Sequence, residues 1–345
     1  MNVVIALYDN CKNVIVNKIM QEKIFNVVGI IPTSYTMKQI ENKRISMPFF
    51  TDIKNISDKI DKCIVLNNSN IKKSVVFEML NEYFRAGIDV DCYYAFTDEE
   101  IKNLKANAER CNVHFDICTD LSADESVMIK TTNQEINIPI IYISGLHEKC
   151  NVFESHLMVH EILQKYGYNV LNISNSVYSK LFNFLSLYTL FNPKEINLYA
   201  TIREARNKIA YFVEEKEANV IVISNLSNFV NFEGFLENYG MDNFIIKNML
   251  DIDLVIFNLP INLINNMDDE KIADLEESIM EETCRADVYL GMAHVILDKY
   301  FDDRFYFLPT ERNEFMKCFN ELKAHVRVFD SLGRDDLKKI VLVSE

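Results

Sequence analysis

The first third of the chain alternates between continuous apolar runs and helical periodicity. The apolar runs are rich in β-branched residues, as in strands buried on both faces of a parallel sheet, and they span residues 2–8, 25–31, 63–67, 88–94 and 113–118. Between them, apolar residues recur every three to four positions, which predicts helices over 11–23, 71–86 and 98–111. The third helix opens on a capping box, Thr97 with Glu100. This order predicts βαβ units and a Rossmann-like domain.

A second alternating region follows a polar stretch, residues 120–137, in which the periodicity is weak. Its first strand-like run is IPIIYISG at 138–145, and others occupy 169–174, 218–225, 252–260, 287–293 and 305–309. Helices are predicted over 152–166, 176–190, 195–217, 268–285 and 311–324. The last apolar segments, 326–332 and 338–344, predict either a βαβ extension of the same sheet or a small separate subdomain.

These patterns predict an α/β protein with two doubly wound, mostly parallel-sheet domains. A Rossmann-like domain is expected over 1–122, a linker over 123–137, and a P-loop NTPase-like domain over 138–345. The turn after the first strand, Tyr8-Asp9-Asn10-Cys11, contains no glycine. A dinucleotide-binding turn needs glycine where the backbone approaches the pyrophosphate. The sequence therefore predicts neither NAD nor FAD in the first domain.

The first strand of the second domain is followed by a degenerate P-loop, GLHEKCNVF, from Gly145 to Phe153. A working P-loop, G-x-x-x-x-G-K-[ST], wraps a phosphate in backbone N–H groups, places its lysine on the phosphates and its hydroxyl on Mg²⁺. Here Cys150 replaces the second glycine, Asn151 the lysine and Val152 the hydroxyl residue. Amides at a helix N-terminus can still hold an anion, with Lys149 as a substitute cation. The alternative is an ordinary strand–turn–helix connection.

A second phosphate-site signal is missing further along the chain. In an NTPase a neighbouring strand supplies a carboxylate to the metal, but the strand over 218–225 ends in Ser224 and Asn225. We expect these two side chains to face the turn across a cleft, because ligands bind at the carboxyl ends of parallel strands.

The segment from the turn onward resembles the clostridial peptide maturation system protein family. The matching residues are Gly145, Glu148, Cys150, Phe153, Glu154, Gly167, Tyr168 and Val170, over about 40 residues. Val152 departs from the pattern, which has lysine there. The family is found beside radical-SAM peptide maturases, so the resemblance implies an accessory role with a modified-peptide precursor or a radical-SAM maturase as partner. More distantly, the domain is similar to signal-recognition-type P-loop NTPases.

The composition limits the kinds of binding partner. The net charge of -15 argues against nucleic acid as a partner, because binding its phosphates requires surplus Lys and Arg. The same charge disfavours binding to an anionic membrane surface. MNVVIALYDN has no basic leader, and no run reaches about 18 apolar residues, so a cytoplasmic protein is expected. None of the eight cysteines forms a CxxC pair, which predicts a reducing compartment and no zinc site.

Two histidines and a cysteine near the turn suggest a different chemistry. His156 and His160 are spaced to share one helix face, and His147 lies in the turn; such residues can bind a metal. Leu157 stands where a zinc protease needs glutamate. Cys150 lies near a helix N-terminus, which lowers a thiol pKa. The alternatives are histidines satisfied by local hydrogen bonds and a buried cysteine.

The sequence thus predicts an accessory or scaffold protein that binds a peptide, a partner enzyme or a nucleotide-like ligand at a degenerate P-loop cleft. The predicted ligand-binding residues are Gly145, Leu146, His147, Glu148, Lys149, Cys150, Asn151, Ser224 and Asn225, with no metal. A nucleotide is the one cofactor that the sequence leaves possible. A homodimer is also possible. The alternatives are an ATP- or GTP-dependent enzyme that uses Lys149, and a metal- or thiol-dependent enzyme that uses His147, Cys150, His156 and His160.

Overall fold

The chain forms two compact units, Met1–Asp120 and Leu121–Glu345. The structure is a computed structural model, and it describes residues 1–8, 12–32, 47–50, 53, 60–68, 71–119, 135–191, 197–226, 241–283, 286–299, 305–310, 312–323 and 328–342. The glycine-free turn at 9–11 and most of the proposed linker, residues 123–134, lie outside the described residues.

The first unit is a five-stranded parallel sheet with three described helices. Its strands are β1 (Asn2–Tyr8), β2 (Asn26–Pro32), β3 (Lys62–Val65), β4 (Asp89–Cys92) and β5 (Phe115–Ile117), in the order β2-β1-β3-β4-β5. Its helices are α1 (Asn13–Gln21), α2 (Lys73–Arg85) and α3 (Asp98–Arg110). The capping box of α3 is confirmed, since Thr97 accepts from the Glu100 amide and the Glu100 carboxylate accepts from the Thr97 amide. β1 is buried from Val3 onward, as expected for an inner parallel strand.

The second unit is built on a seven-stranded sheet in which every described pairing is parallel. Its strands are β6 (Ile140–Gly145), β7 (Val170–Ser174), β8 (Leu185–Ser186), β9 (Val220–Ser224), β10 (Leu254–Pro260), β11 (Asp287–Ala293) and β14 (Val328–Asp330). The order is β14-β11-β10-β6-β9-β7-β8, so β6 lies in the middle, between β9 and β10. Two further strands, β12 (Val295–Lys299) and β13 (Phe305–Pro309), form a separate antiparallel hairpin.

The helices of this unit are α4 (Val152–Lys165), α5 (Leu187–Leu190), α6 (Leu198–Glu215), α7 (Met241–Met249), α8 (Ile261–Asn265), α9 (Asp269–Glu282), α10 (Arg312–Lys323) and α11 (Arg334–Leu342). Apolar residues of α4 and α11 pack with β6, β9 and β10 in one core, which includes Val152, Val159, Ile256 and Leu337. The predicted class, α/β with two doubly wound, mostly parallel sheets, is confirmed. None of the helices in the described part of the chain is long and apolar enough to cross a bilayer.

One element left open by the sequence is a helix, and one predicted helix is wrong. The apolar segment 338–344 was expected either in a βαβ extension or in a small subdomain; its residues up to Leu342 belong to α11, which buries Leu337, Ile340 and Val341 on one face. Residues 176–190 were expected to form one helix. They form a 3₁₀ turn at Ser179–Phe182, then β8 and α5, because Asn183 adopts a left-handed conformation that ends the turn.

Candidate functional site

The predicted turn lies directly between a buried strand and a helix. Gly145 is the last residue of β6, and α4 begins at Val152. A Cβ atom on Gly145 would lie 2.7 Å from the Asn258 carbonyl oxygen of β10, so only glycine lets the two strands approach this closely. The Leu146 amide donates to that same carbonyl at 3.0 Å, and the Cys150 amide donates to the His147 carbonyl at 2.9 Å. The turn is therefore fixed to the neighbouring strand at its start and closed on itself.

Asn151, at the position of the P-loop lysine, is directed into the protein. It has a left-handed backbone, φ 56°, which asparagine tolerates better than most residues, and it is 2% exposed. Its side-chain Oδ1 accepts from the His294 amide at 2.8 Å. Its carbonyl accepts from the Ser155 amide at 2.9 Å and from Asn258 Nδ2 at 3.3 Å. The residue thus joins the turn to β10 and to the end of β11.

The other two replaced P-loop positions are also built into the core. Cys150 and Val152 are both fully buried. Phe153, in the first turn of α4, packs about 6 Å between ring centroids from Tyr178, Phe182 and Phe184. The residues of the first turn of α4 are therefore buried in the core. The residues of the turn itself that reach solvent are His147, Glu148 and Lys149.

His147 is held in one orientation. Its ring stacks on Phe307 of β13 at 4.3 Å between centroids, and its Nδ1 accepts from the Lys149 amide at 3.2 Å. Burial lowers the pKa of this imidazole, and Nδ1 as an acceptor leaves the proton of the neutral ring on Nε2.

The structure brings Ser224 and Asn225 to the same sheet edge as the turn, because the Asn225 amide donates to Ile143 of β6 at 3.0 Å. Both residues are 0% exposed. In the side chain of Asn225, Oδ1 accepts from Asn175 Nδ2 and Nδ2 donates to Asn243 Oδ1, each at 2.6 Å. The Ser224 hydroxyl lies 2.8 Å from His156. Their polar atoms are thus engaged by the protein, and their role as ligand-binding residues stays a prediction.

His156 and His160 are buried residues of α4. The His156 ring is fully buried, with Nδ1 2.8 Å from Ser224 Oγ and Nε2 3.1 Å from Asn172 Oδ1. Burial lowers its pKa to about 3, although the Asn172 hydrogen bond opposes this. No group of three His, Cys, Asp or Glu residues within the described ranges could hold a metal ion. His156 and His160 are thus core residues with hydrogen-bond partners, and the metal-dependent alternative stays a prediction.

Three residues of this edge were missed from sequence. Asn258 is a fully buried amide in the apolar run of β10, and its Nδ2 donates to Ser155 Oγ at 2.9 Å. His294, after β11, lies 2.7 Å through Nε2 from the carboxylate of Asp330 in β14. A polar residue inside a buried strand signals a hydrogen-bond partner, so Asn258 could have been found. His294 and Asp330 gave no comparable signal.

The fold that carries this edge is similar to that of a solved structure. A crystal structure of a DUF1611 family protein from Anabaena variabilis matches 99% of this chain and 98% of its own length, with a TM-score of 0.59 and 9% identity. The chain shares that protein's fold. At this identity the likeness shows the fold alone.

Two other structures are less similar. One is YPO2259 of Yersinia pestis, provisionally described as an oxidoreductase, with a TM-score of 0.31, 10% identity and 49% and 53% of the two chains covered. The other is chloroplast FtsY of Physcomitrella patens, with a TM-score of 0.26, 9% identity and 71% and 88% covered. No protein-family model matches the chain, and no curated protein is significantly similar to it.

A small cavity lies apart from the turn. It is lined by Tyr142 of β6, Asn243 and Lys247 of α7, and Thr283 just after α9, and it has room for about one water molecule. A nucleotide or a peptide side chain does not fit there.

Cys150 is expected to resist thiol reagents in the folded protein. Burial raises its pKa to about 12, opposite to the lowering expected at a helix N-terminus. Compared with an ordinary thiol of pKa about 8.5, its thiolate fraction at pH 8 falls on the order of a thousandfold. Mass spectrometry after iodoacetamide treatment should show half-buried Cys318 labelled long before Cys150, with both labelled in urea. Equal rates in the folded protein would restore the thiol-enzyme alternative.

Proposed function

We propose that the protein is a cytoplasmic accessory protein of modified-peptide maturation, which binds a peptide or a partner enzyme and does not hydrolyse nucleotides. The observation that carries the proposal is the orientation of Asn151. At the position where an NTPase directs a lysine to the phosphates, this side chain accepts a hydrogen bond from the His294 amide instead.

The remaining phosphate chemistry is lost in the same way. Phosphoryl transfer depends on a lysine, a metal-binding hydroxyl and a carboxylate placed around the phosphates. The hydroxyl position is the buried Val152, and β9 ends at Ser224 and is followed by Asn225, two residues whose polar atoms already have protein partners. Restoring any one of these three groups would still leave the other two absent, so weak NTPase activity is also disfavoured.

The peptide-maturation context comes from the resemblance of the segment 145–170. Several of the matching residues have packing roles: Gly145 allows β6 to approach β10, Phe153 lies in the aromatic cluster, and Gly167, at φ +86°, follows the end of α4. These matching residues therefore contribute to the packing of the domain. The acidic net charge of -15 is compatible with a basic peptide or protein partner.

Nucleotide titration tests the absence of NTPase chemistry. We expect ATP and GTP with Mg²⁺ to produce no saturable heat in isothermal titration calorimetry and no stabilisation in thermal unfolding. A ligand at a hundred times its Kd would stabilise the fold by about 2.7 kcal/mol, so micromolar binding would be visible at millimolar nucleotide. Magnesium-dependent binding that is lost in Lys149→Ala, but kept in Lys165→Ala at the exposed end of α4, would favour the ATP- or GTP-dependent enzyme.

Co-expression tests the accessory role. The chain would be produced with a radical-SAM maturase and the precursor peptide of the same cassette, and the purified mixture separated by size-exclusion chromatography at low and high salt. We expect co-elution with one of the two at low salt and weaker association at high salt, because interactions between exposed charges are screened. A chain that elutes alone under both conditions would overturn the accessory role while leaving the nucleotide result intact.

A further inference from the structure

A histidine and an aspartate, whose side chains have no role in the proposed function, meet at the carboxyl edge of the second sheet. His294 follows β11, and Asp330 is the last residue of β14. His294 Nε2 lies 2.7 Å from Asp330 Oδ1, and the same oxygen accepts from the Leu332 amide at 2.9 Å. A carboxylate only accepts hydrogen bonds, so Nε2 carries the proton of the neutral ring. Asp330 thus fixes both the tautomer and the orientation of this imidazole.

The other ring nitrogen of His294, Nδ1, is then a hydrogen-bond acceptor, and the described residues supply no partner for it. The Phe315 ring of α10 stacks on the imidazole at 3.8 Å between centroids. The His294 amide donates to Asn151 of the turn at 2.8 Å. The His294 side chain is nevertheless 21% exposed. The imidazole is thus held in place and offers one acceptor to a ligand.

The pair lies where open parallel sheets bind ligands. The chain leaves β6 toward β7 on one side of the sheet and leaves β10 toward β11 on the other, so the strand order reverses between β6 and β10. Ligands bind outside the carboxyl ends of the strands at such a point. Since β11 is the next strand after β10, and the Asn151 contact joins His294 to the turn after β6, the imidazole lies beside this point.

The β12–β13 hairpin places Thr310 beside His294. The Thr310 amide donates to the His294 carbonyl at 3.0 Å, which extends the hairpin by one residue pair. The hairpin itself is fixed to α8, because Asn262 exchanges two hydrogen bonds with Leu297, at 2.7 and 2.9 Å. Side chains of directly opposite residues lie on the same face of an antiparallel pair, with Cβ atoms about 5 Å apart. One small polar group can therefore contact the side chains of both Thr310 and His294.

Three buried side-chain atoms within the described ranges have no hydrogen-bond partner, and all of them adjoin this pair. They are Asn258 Oδ1, Thr310 Oγ1 and Ser331 Oγ. Thr310 is paired with His294, and Ser331 follows Asp330 in the chain. Asn258 Nδ2 donates to the Asn151 carbonyl at 3.3 Å. Unpaired buried polar atoms are uncommon in folded proteins and require an explanation. Their concentration here favours an edge that makes polar contacts with a ligand.

We propose that His294, positioned by Asp330, binds an alcohol hydroxyl group together with Thr310. The hydroxyl donates to His294 Nδ1 and accepts from Thr310 Oγ1, so that one ligand group pairs both atoms. The hydroxyl belongs to a serine or threonine side chain of the bound peptide, an identification that rests on the proposed function.

The chemistry of the pair selects a hydroxyl over other groups. A carboxylate or a phosphate group that is fully ionised has no proton to donate to Nδ1, and its charge would be repelled by the Asp330 carboxylate. An ammonium group can donate to Nδ1 but cannot accept from Thr310. An alcohol hydroxyl does both, and it adds no charge to a half-buried site.

Histidine ¹⁵N spectra of the full chain test the site directly. At pH 8, long-range ¹H–¹⁵N correlations show which ring nitrogen carries the proton, with His294→Gln assigning the signals. We expect the native His294 to be protonated at Nε2. We also expect added N-acetylserinamide to shift its Nδ1 resonance saturably, whereas N-acetylalaninamide, which lacks only the hydroxyl, should leave that resonance unchanged.

Variants separate the two contacts. Thr310→Val keeps the shape of the side chain and removes its hydroxyl, so it should bind N-acetylserinamide about fivefold more weakly, the contribution of one ordinary hydrogen bond. Asp330→Asn should mix the two tautomers of His294, because an amide can accept or donate. Asp298→Asn, at an exposed position of the same hairpin, should keep both the tautomer and the binding. Backbone amide spectra show whether each variant is folded.

Any of four results would overturn the site. These are a native His294 protonated at Nδ1, no response to N-acetylserinamide, an equal response to both amides, and unchanged binding in a folded Thr310→Val. Each of them would leave the accessory role standing, since co-expression with the maturase and the precursor tests that role. Conversely, a chain that elutes alone but responds to N-acetylserinamide would keep the hydroxyl site and lose the peptide as its ligand.

Discussion

Lowering the pH from 7 to 5 is expected to reduce the free energy of unfolding by about 2 kcal/mol through His156 alone. Burial of the ring depresses its folded-state pKa to about 3, whereas the unfolded chain has a histidine pKa of about 6.5. Below pH 6.5 the unfolded state therefore binds one proton more. The stability that the neutral, buried His156 contributes is complete above the unfolded pKa and is lost progressively as the pH falls toward 3.

Urea unfolding at pH 7, 6 and 5 measures this loss. Other groups titrate as well: the lowered pKa of His147 acts in the same direction, whereas burial raises the pKa of Asp242, which acts in the opposite one. The informative quantity is therefore the difference in pH dependence between the native chain and His156→Gln. The matched control is His114→Gln, because the His114 side chain is 63% exposed, and it should keep the native slope. Identical slopes for all three proteins would show that His156 accepts a proton without cost.

The architecture was largely predictable because buried parallel strands leave a local signal. Runs such as 2–8, 138–145 and 218–225 are apolar on both faces, and their alternation with helical periodicity favours buried parallel strands. The type of the segment 338–344 stayed open because a short apolar run alone fits either a strand or a buried helix face. The spacing of Leu337, Ile340 and Val341, which α11 buries together, favours the helix.

The interior of the candidate site could not be predicted from local sequence. The motif located Gly145 and the turn correctly, because a strand, a turn and a helix are consecutive in the chain. The orientation of Asn151 depends on His294, which is 143 positions away, and on Asn258, which is 107 positions away. Whether a polar side chain faces a ligand or the core is decided by such distant partners, which only the folded sheet brings together.

Gly291→Ala is expected to destabilise the protein by about 3 kcal/mol, through overpacking and lost hydrogen bonds. Asn258 of β10 pairs with Gly291 of β11, and a Cβ atom at 291 would lie 2.1 Å from Asn258 Oδ1. The amide cannot move aside freely, because its Nδ2 donates to the Asn151 carbonyl and to Ser155 Oγ. Displacing it breaks the contacts that fix the turn to the sheet. Chemical denaturation of the variant measures the cost.

A double-mutant cycle with Asn258→Ala separates this mechanism from a general intolerance of the strand to alanine. Removing the Asn258 side chain removes the obstacle, so Gly291→Ala should cost at least about 1 kcal/mol less in the Asn258→Ala background. Gly145→Ala is the matched control, since its Cβ would meet the backbone oxygen of residue 258 at 2.7 Å, which alanine at 258 leaves in place. Its cost should be the same in both backgrounds. If Asn258→Ala relieved both glycine variants equally, or neither, the side chain of Asn258 would not be what Gly291 accommodates.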